Sequence, residues 1–583
     1  MSLPAPPSSV PLSSTAASSA PPSSNEALKR RALDAFGGGR LEEAASLYRE
    51  LLAGNGMAAD LWNNLGFVLA ELGRPLEARE ALRRSLVLRP DYAKPWVGLG
   101  GDAYGESRLD ETVRLWSRAI QADPNQEANL WFNLGVVRQM RGEAAAAALC
   151  FGRAERLAPG DPRIASQLLL CLNYLELSGD RLLAEHRRFD ERFGKPAAAP
   201  AAHANRPDPE RRLRIGYLSV EFREHLGAYF LTPLFEAADR KRFEIVCYSI
   251  LPDTHADAYT ARFKAQADGW RTVGHLDDDG LADLIRADGI DILVDLAGHS
   301  GLNRLPILAR RPAPVQVTWL GYPNGTGMQS VGYRIVDPVS DPVGSTDGHA
   351  VETLVRLPPP FLCFRPPSDA PAVVPLPAGA TGHVTFGSFN KLSKITDQTV
   401  QLWAEVLRRV PESRLLLKDR PLSDPGTAAG IRARFAAAGI APDRLDLVGF
   451  IKDAAGHLAA YNRIDIALDP HPYNGTITTC DTLWMGAPLV TLAGGRHAAR
   501  VGASLMASIG LPELVAATPD RYAAIAAELA GDLGRLMRLR MGMRERVRAS
   551  ALCDEARFMR NLESAYRLMW RRWCDGEAGR SPA

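Results

Sequence analysis

An excess of charge of one sign is missing from this 583-residue sequence: Lys plus Arg number 69 against 67 Asp plus Glu, a formal net charge of +2. A balance so close to zero gives nucleic acid or an anionic membrane no electrostatic hold, so neither is expected as a partner. Paired cysteines are missing too. Cys150, Cys171, Cys247, Cys363, Cys480, Cys553 and Cys574 lie far apart, form no C-x-x-C, and are odd in number. That spacing argues against a disulfide scaffold and against a zinc site, and fits a reducing cytoplasm. No apolar run reaches transmembrane length. Met1 to Ser24 is Ser, Pro and Ala without the charge-then-apolar order of a signal peptide, so residues 1–25 are expected to be a disordered tail. Neither G-x-x-x-x-G-K-[ST] nor G-x-G-x-x-G opening a helix after a strand occurs, which removes the signatures of Walker-type NTPases and dinucleotide dehydrogenases.

What is present is ordinary globular composition, 46% hydrophobic and 23% charged, in a chain long enough for about three domains. An internal period comes first. Trp62, Trp96 and Trp131 recur at 34–35 residues, and Leu65-Gly66, Leu99-Gly100 and Leu134-Gly135 keep step with them. Pro90, Pro124 and Pro159 hold the same period. Such a unit predicts two antiparallel helices: a small residue for close approach, Ala78, Ala81 and Leu82 along the second helix, and a proline that stops it. Length and pattern resemble the tetratricopeptide repeat. Gly39, Ala44, Tyr48 and Leu52 mark a weaker first copy, and Ile164 to Leu177 is expected to close the array, giving an α-solenoid over 26–180. The tryptophans are expected to pack, and the groove of the stack to bind extended peptide or protein segments.

Residues 181–212 are predicted to be a linker. Beyond them strand-like runs alternate with helical stretches. Leu213–Val220, Glu244–Ile250, Asp291–Asp295 and Pro314–Leu320 are the strand candidates of a first half (213–375). His383–Phe389, Arg414–Lys418, Leu445–Phe450, Ile464–Asp469 and Pro488–Ala493 are those of a second (376–575). The alternation predicts parallel sheets covered by helices, with a ligand cleft at the strands' carboxyl ends. Polar motifs stand at those ends: Glu221 to His225, Ala297 to Arg304 with His299, Gly321 to Gly327, Asn390 to Lys394, and Pro472 to Asp481. The last carries Thr476, Thr478 and Thr479 where a helix begins. One threonine suffices to cap a helix, so three favour an anion, a phosphate, at exposed backbone N–H groups.

These segments resemble the protein O-GlcNAc transferase and SPINDLY family. The resemblance is densest over Arg311 to Pro323, Val384 to Ile395 and Tyr473 to Pro488, and the family's own domain order places tetratricopeptide repeats first. It implies a GT-B fold of two Rossmann-like domains and metal-free, inverting sugar transfer to Ser or Thr, from UDP-GlcNAc as substrate and with no cofactor. It further implies that Lys394 neutralises the diphosphate beside Lys391, and that His457, Thr476, Thr478 and Asp481 line the nucleotide, Asp481 at the ribose hydroxyls. His225 matches the active-site histidine, and His299 is similar to a histidine near the acceptor. Thr476 replaces the histidine of the animal enzymes, a form shared with SPINDLY, which leaves GDP-fucose as an alternative donor. A scaffold that binds nucleotide without transfer is the alternative from another class, and a homo-oligomer is left open.

Overall fold

The computed structural model describes residues 24–195, 202–224 and 227–576. The expected tail therefore lies outside the described residues, except Ser24 and Asn25, which begin the first helix. Contacts divide the chain into two compact units: everything to Ala158 together with Pro421–Gly430, and Pro159–Arg420 with Ile431–Ala583.

The first unit holds four helix pairs: Ser24–Gly37 with Leu41–Gly54, Ala59–Glu71 with Pro75–Leu88, Ala93–Gly105 with Leu109–Ala122, and Ala128–Met140 with Ala144–Leu157. The second helix of the last three pairs stops two residues before Pro90, Pro124 and Pro159. The periodic glycines meet the partner helix, as the period predicts. A Cβ on Gly100 would lie 2.3 Å from Trp116, and one on Gly135 2.7 Å from Phe151. Trp62 packs at the first core, and Trp96 and Trp131 at a later one whose fully buried indole is Trp116.

The second unit starts earlier than the sequence boundary at 180. Helix Pro162–Leu172 forms where a closing helix is expected, but it and helix Gly179–Phe193 group with the α/β region. Ala165, Leu169 and Phe189 share a core with Leu218, Leu293 and Leu308. The predicted linker 181–212 is thus helical as far as Phe193. Its apolar stripe, Leu182, Leu183, His186 and Phe189, is hidden in the sequence by the charged residues of the other face.

A seven-stranded sheet follows, made of β1 (Leu213–Ser219), β2 (Phe243–Ser249), β3 (Gly269–Thr272), β4 (Ile292–Asp295), β5 (Val315–Thr318), β6 (Tyr333–Val336) and β7 (Thr353–Arg356). The six-stranded second sheet has β8 (Thr385–Ser388), β9 (Arg414–Lys418), β10 (Leu445–Val448), β11 (Ile466–Leu468), β12 (Leu489–Leu492) and β13 (Val515–Ala516). Every pairing is parallel, in the orders 3-2-1-4-5-6-7 and 10-9-8-11-12-13. Strand order therefore reverses between β1 and β4, and between β8 and β11, and ligand crevices of such sheets open at those points. The boundary at 376 is crossed once. The last helix, Glu555–Cys574, returns to the first sheet: Phe558 stacks on Trp319, the Tyr566 and Tyr217 hydroxyls lie 3.1 Å apart, and the Trp570 indole donates to Asp208 O.

Candidate active site

The richest polar cluster lies where β8 and β11 diverge. β8 ends in Ser388, and the chain then turns through Asn390 and Lys391 into the short helical turn Leu392–Lys394. β11 leads to Asp469, whose carboxylate is buried and accepts from Gly475 N and the Thr491 hydroxyl, both at 2.7 Å. These bonds fold the segment 470–476 over the start of helix Ile477–Trp484. Thr478 donates to Asn390 Oδ1 at 2.9 Å, tying the two strand ends together. A Cβ on Gly475 would lie 2.6 Å and 2.7 Å from the hydroxyls of Thr478 and Thr479, so only glycine fits there.

The three threonines do different things. Thr476 stands at the N-cap but makes no capping bond. Thr478 is spent on Asn390. Thr479 is buried and its hydroxyl has no partner among the described residues, an orphan expected to cost free energy unless a ligand satisfies it. An eight-residue helix beginning with such a hydroxyl, its first backbone N–H groups unpaired, is shaped for an anion.

Lys394 is half-buried, donates to Asn474 O at 2.6 Å, and has its ammonium 4.2 Å from the centre of the Tyr473 ring. Burial holds its pKa well below that of an ordinary lysine. The Asp469 carboxylate opposes that shift and the neighbouring charge of Lys391 adds to it. A phosphate arriving there would restore the charged form. Lys391 itself is exposed at the mouth of the turn.

A second row runs beside this one. Lys418, the last residue of β9, bonds His457 Nδ1, and His457 Nε2 lies 4.0 Å from Asp481 Oδ2. Burial, with Lys418 adding to it, holds His457 down to about 4, so the ring is neutral. With the ammonium donating to Nδ1, the remaining proton sits on Nε2 and faces Asp481. Burial raises Asp481 to about 7 against the pull of Lys418.

Lys391, Lys394, His457, Thr476, Thr478, Thr479 and Asp481 are therefore brought to one crevice. His225 lies outside the described residues. His299 is elsewhere and differently employed. It follows the turn after β4, where Gly298 has φ +53° and a Cβ would meet Tyr322 at 2.3 Å. Its ring is 1% exposed, with Nε2 2.8 Å from Thr326 O and Nδ1 3.0 Å from Ser166 Oγ. Nε2 must donate to that carbonyl and Nδ1 accept from the hydroxyl, so neither nitrogen is left for an acceptor substrate. Both nitrogens are thus engaged within the fold, and burial lowers the pKa of His299 well below that of an ordinary histidine. Sequence reasoning missed Lys418, Asp469 and Tyr473. Lys418 had a usable signal, a lysine closing an otherwise apolar strand at its carboxyl end. Among the described residues no group of three His, Cys, Asp or Glu converges as a metal site.

The family of proteins described as Glycosyl transferase family 41 matches residues 196–363 and 374–562, and a tetratricopeptide repeat family matches 29–93. The chain belongs to glycosyl transferase family 41. It is 44% identical over 427 residues to SPINDLY of Petunia hybrida, and 43% identical over 425 residues to SPINDLY of Arabidopsis thaliana. Both are described as probable UDP-N-acetylglucosamine–peptide N-acetylglucosaminyltransferases. Each match covers 72% of this chain, and the chain spans less than half the length of either relative, 45% and 46%. Among solved structures, a mutant O-GlcNAc transferase of Thermobaculum terrenum superposes with a TM-score of 0.78 at 39% identity, over 89% of this chain and 98% of that one. Repeats followed by two parallel α/β sheets, the GT-B arrangement, are common to both.

Proposed function

We propose that the protein transfers N-acetylglucosamine from UDP-GlcNAc to Ser or Thr hydroxyls of proteins. The observation that carries this is the convergence of a cationic and amide cluster, Lys394 with the start of helix Ile477–Trp484, and a row of Asp481 with His457 and Lys418. Asp481 would take the ribose hydroxyls, Thr479 and the helix N–H groups a phosphate oxygen, and Lys394 the charge that develops on the departing diphosphate as the bond to the sugar breaks. The acceptor hydroxyl attacks the sugar carbon from the opposite face as the bond to the diphosphate breaks, which inverts that carbon, and the hydroxyl proton passes to a phosphate oxygen of the departing diphosphate. The printed names of the SPINDLY relatives and of the Thermobaculum enzyme support GlcNAc as the sugar. The repeats would present the acceptor, as a stack of paired helices suits extended peptide. No described helix is long and apolar enough to cross a membrane. Each of the seven cysteines is a free thiol, as suits a reducing cytoplasm.

Donor turnover by Lys394→Ala tests this reading. Loss of one charged donor to the leaving group is expected to slow release of the nucleoside diphosphate by roughly 100-fold or more, with the unfolding temperature within a few degrees of the parent. Near-normal turnover in a folded variant would remove Lys394 from the chemistry.

A further inference from the structure

The turn between helices Pro162–Leu172 and Gly179–Phe193, residues Asn173 to Glu176, belongs by sequence to the end of the repeat array. In space it reaches the second sheet's donor crevice. Tyr174 is 4% exposed, and its ring stacks on Tyr473 with centroids 5.1 Å apart and planes 18° from parallel. Its hydroxyl pairs with the side chain of Ser393, the residue before Lys394. The turn is pinned there by Arg496, which donates to Asn173 O at 3.0 Å and Leu175 O at 2.6 Å, and by Gln398 donating to Glu176 at 2.8 Å. At its other side Asn173 donates to the Tyr322 hydroxyl at 2.8 Å, and Tyr322 in turn meets His186 Nε2 at 2.7 Å. Those two belong to the loops of the first sheet and to the second of the two helices.

We propose that Tyr174 is a positioning residue for Lys394, holding by its ring the Tyr473 face over which the ammonium lies and by its hydroxyl the Ser393 turn from which that lysine springs. The physical need is plain. A lysine is a point charge on a flexible stem, and a donor directed at developing charge is effective only if it is already in place when the bond breaks. Asn474 O and the Tyr473 ring are the two contacts that fix the ammonium. Tyr473 is fixed in turn by a residue about 300 positions earlier, outside both strand-bearing halves. Arg496 and Asn173 tie the turn that carries it to loops of both sheets.

This inference rests on the reading of Lys394 as leaving-group donor, and its test separates the two. Tyr174→Leu keeps apolar bulk but removes ring and hydroxyl, while Tyr174→Phe keeps the ring. Donor turnover is expected to fall about tenfold or more in Tyr174→Leu and clearly less in Tyr174→Phe, since small misplacements of a catalytic group are that costly. The second readout needs no turnover: acylation of lysines by an amine reagent at neutral pH, read by mass spectrometry. Labelling of Lys394 in Tyr174→Leu should differ about threefold or more from the parent, because an ammonium no longer held against the Tyr473 face changes both its exposure and its burial-depressed pKa, while labelling of exposed Lys241 is unchanged. Unaltered labelling of Lys394 in Tyr174→Leu overturns the proposal, whatever turnover does. Equal loss in both variants overturns the ring-stacking route. A parent chain with no donor turnover would defeat the transferase reading and leave the labelling result to decide this one.

Discussion

At the scale of single residues, the site divides by what burial does to charge. His457 is neutral, Lys394 is drawn down and Asp481 is drawn up, all chiefly by desolvation, so an anion beside Lys394 would favour its charged form. Asp481 makes this measurable. Its pKa is raised to about 7, so the carboxylate that can accept hydroxyls exists above that pH and is lost below it. kcat/KM for the donor is therefore expected to fall as pH drops from about 8 to about 6, along a limb set by the free protein. Asp481→Asn should lower kcat/KM throughout and flatten that limb; a limb that survives unchanged in Asp481→Asn would assign it to another group. Asp481 came only with the family resemblance, whereas the threonine run was legible because helix-start chemistry is local in sequence. Lys418 and Tyr174 were not, since each acts through a neighbour, His457 or Tyr473, that only the folded chain supplies. His299 shows the converse: a histidine at a strand end has the sequence signature of a catalytic group, yet both its nitrogens are consumed by Thr326 and Ser166.

At the scale of elements, periodicity carried most of the information. Gly66, Gly100 and Gly135 announced close helix contact, and a Cβ on each would lie within 2.8 Å of Leu82, Trp116 or Phe151. Gly100→Ala is accordingly expected to destabilise the repeat unit by about 1–3 kcal/mol, the usual cost of forcing an atom into a packed interface. Urea unfolding followed by circular dichroism would show a lowered midpoint; an unchanged midpoint would mean that Trp116 moves aside freely. The nine predicted strands all form, within about two residues of their expected ends. β3, β6, β7 and β13 escaped notice for a shared reason. They have two to four residues each, and β3 and β7 are only partly buried and mix charged with apolar residues, so no continuous apolar run marks them. Helix Gly179–Phe193 escaped because ten of its fifteen residues are polar or glycine, counting Gly179, Asp180, Arg181, Glu185, His186, Arg187, Arg188, Asp190, Glu191 and Arg192.

At the scale of the molecule, the order of parts was legible and their borders were not. Repeats, then two parallel sheets, follow from a 34-residue period giving way to alternating strands and helices. The borders moved because tertiary packing reassigns terminal elements. Helix Pro162–Leu172 follows the repeats in sequence, yet it and helix Gly179–Phe193 share a core with the first sheet, and the final helix, Glu555–Cys574, returns to the first half through Phe558, Tyr566 and Trp570. The two α/β halves are thus joined at both ends of their sequence, by the turn Asn173 to Glu176 and by helix Glu555–Cys574. The central claim is that this crevice passes a sugar to protein hydroxyls. Its most direct test is mass spectrometry of a mixture of soluble proteins incubated with the full chain and either UDP-GlcNAc or GDP-fucose, with Lys394→Ala in parallel. The account predicts N-acetylhexosamine on Ser and Thr residues with UDP-GlcNAc and the parent chain, and its loss with Lys394→Ala. Addition of a deoxyhexose from GDP-fucose alone, or of no sugar from either donor, would contradict it.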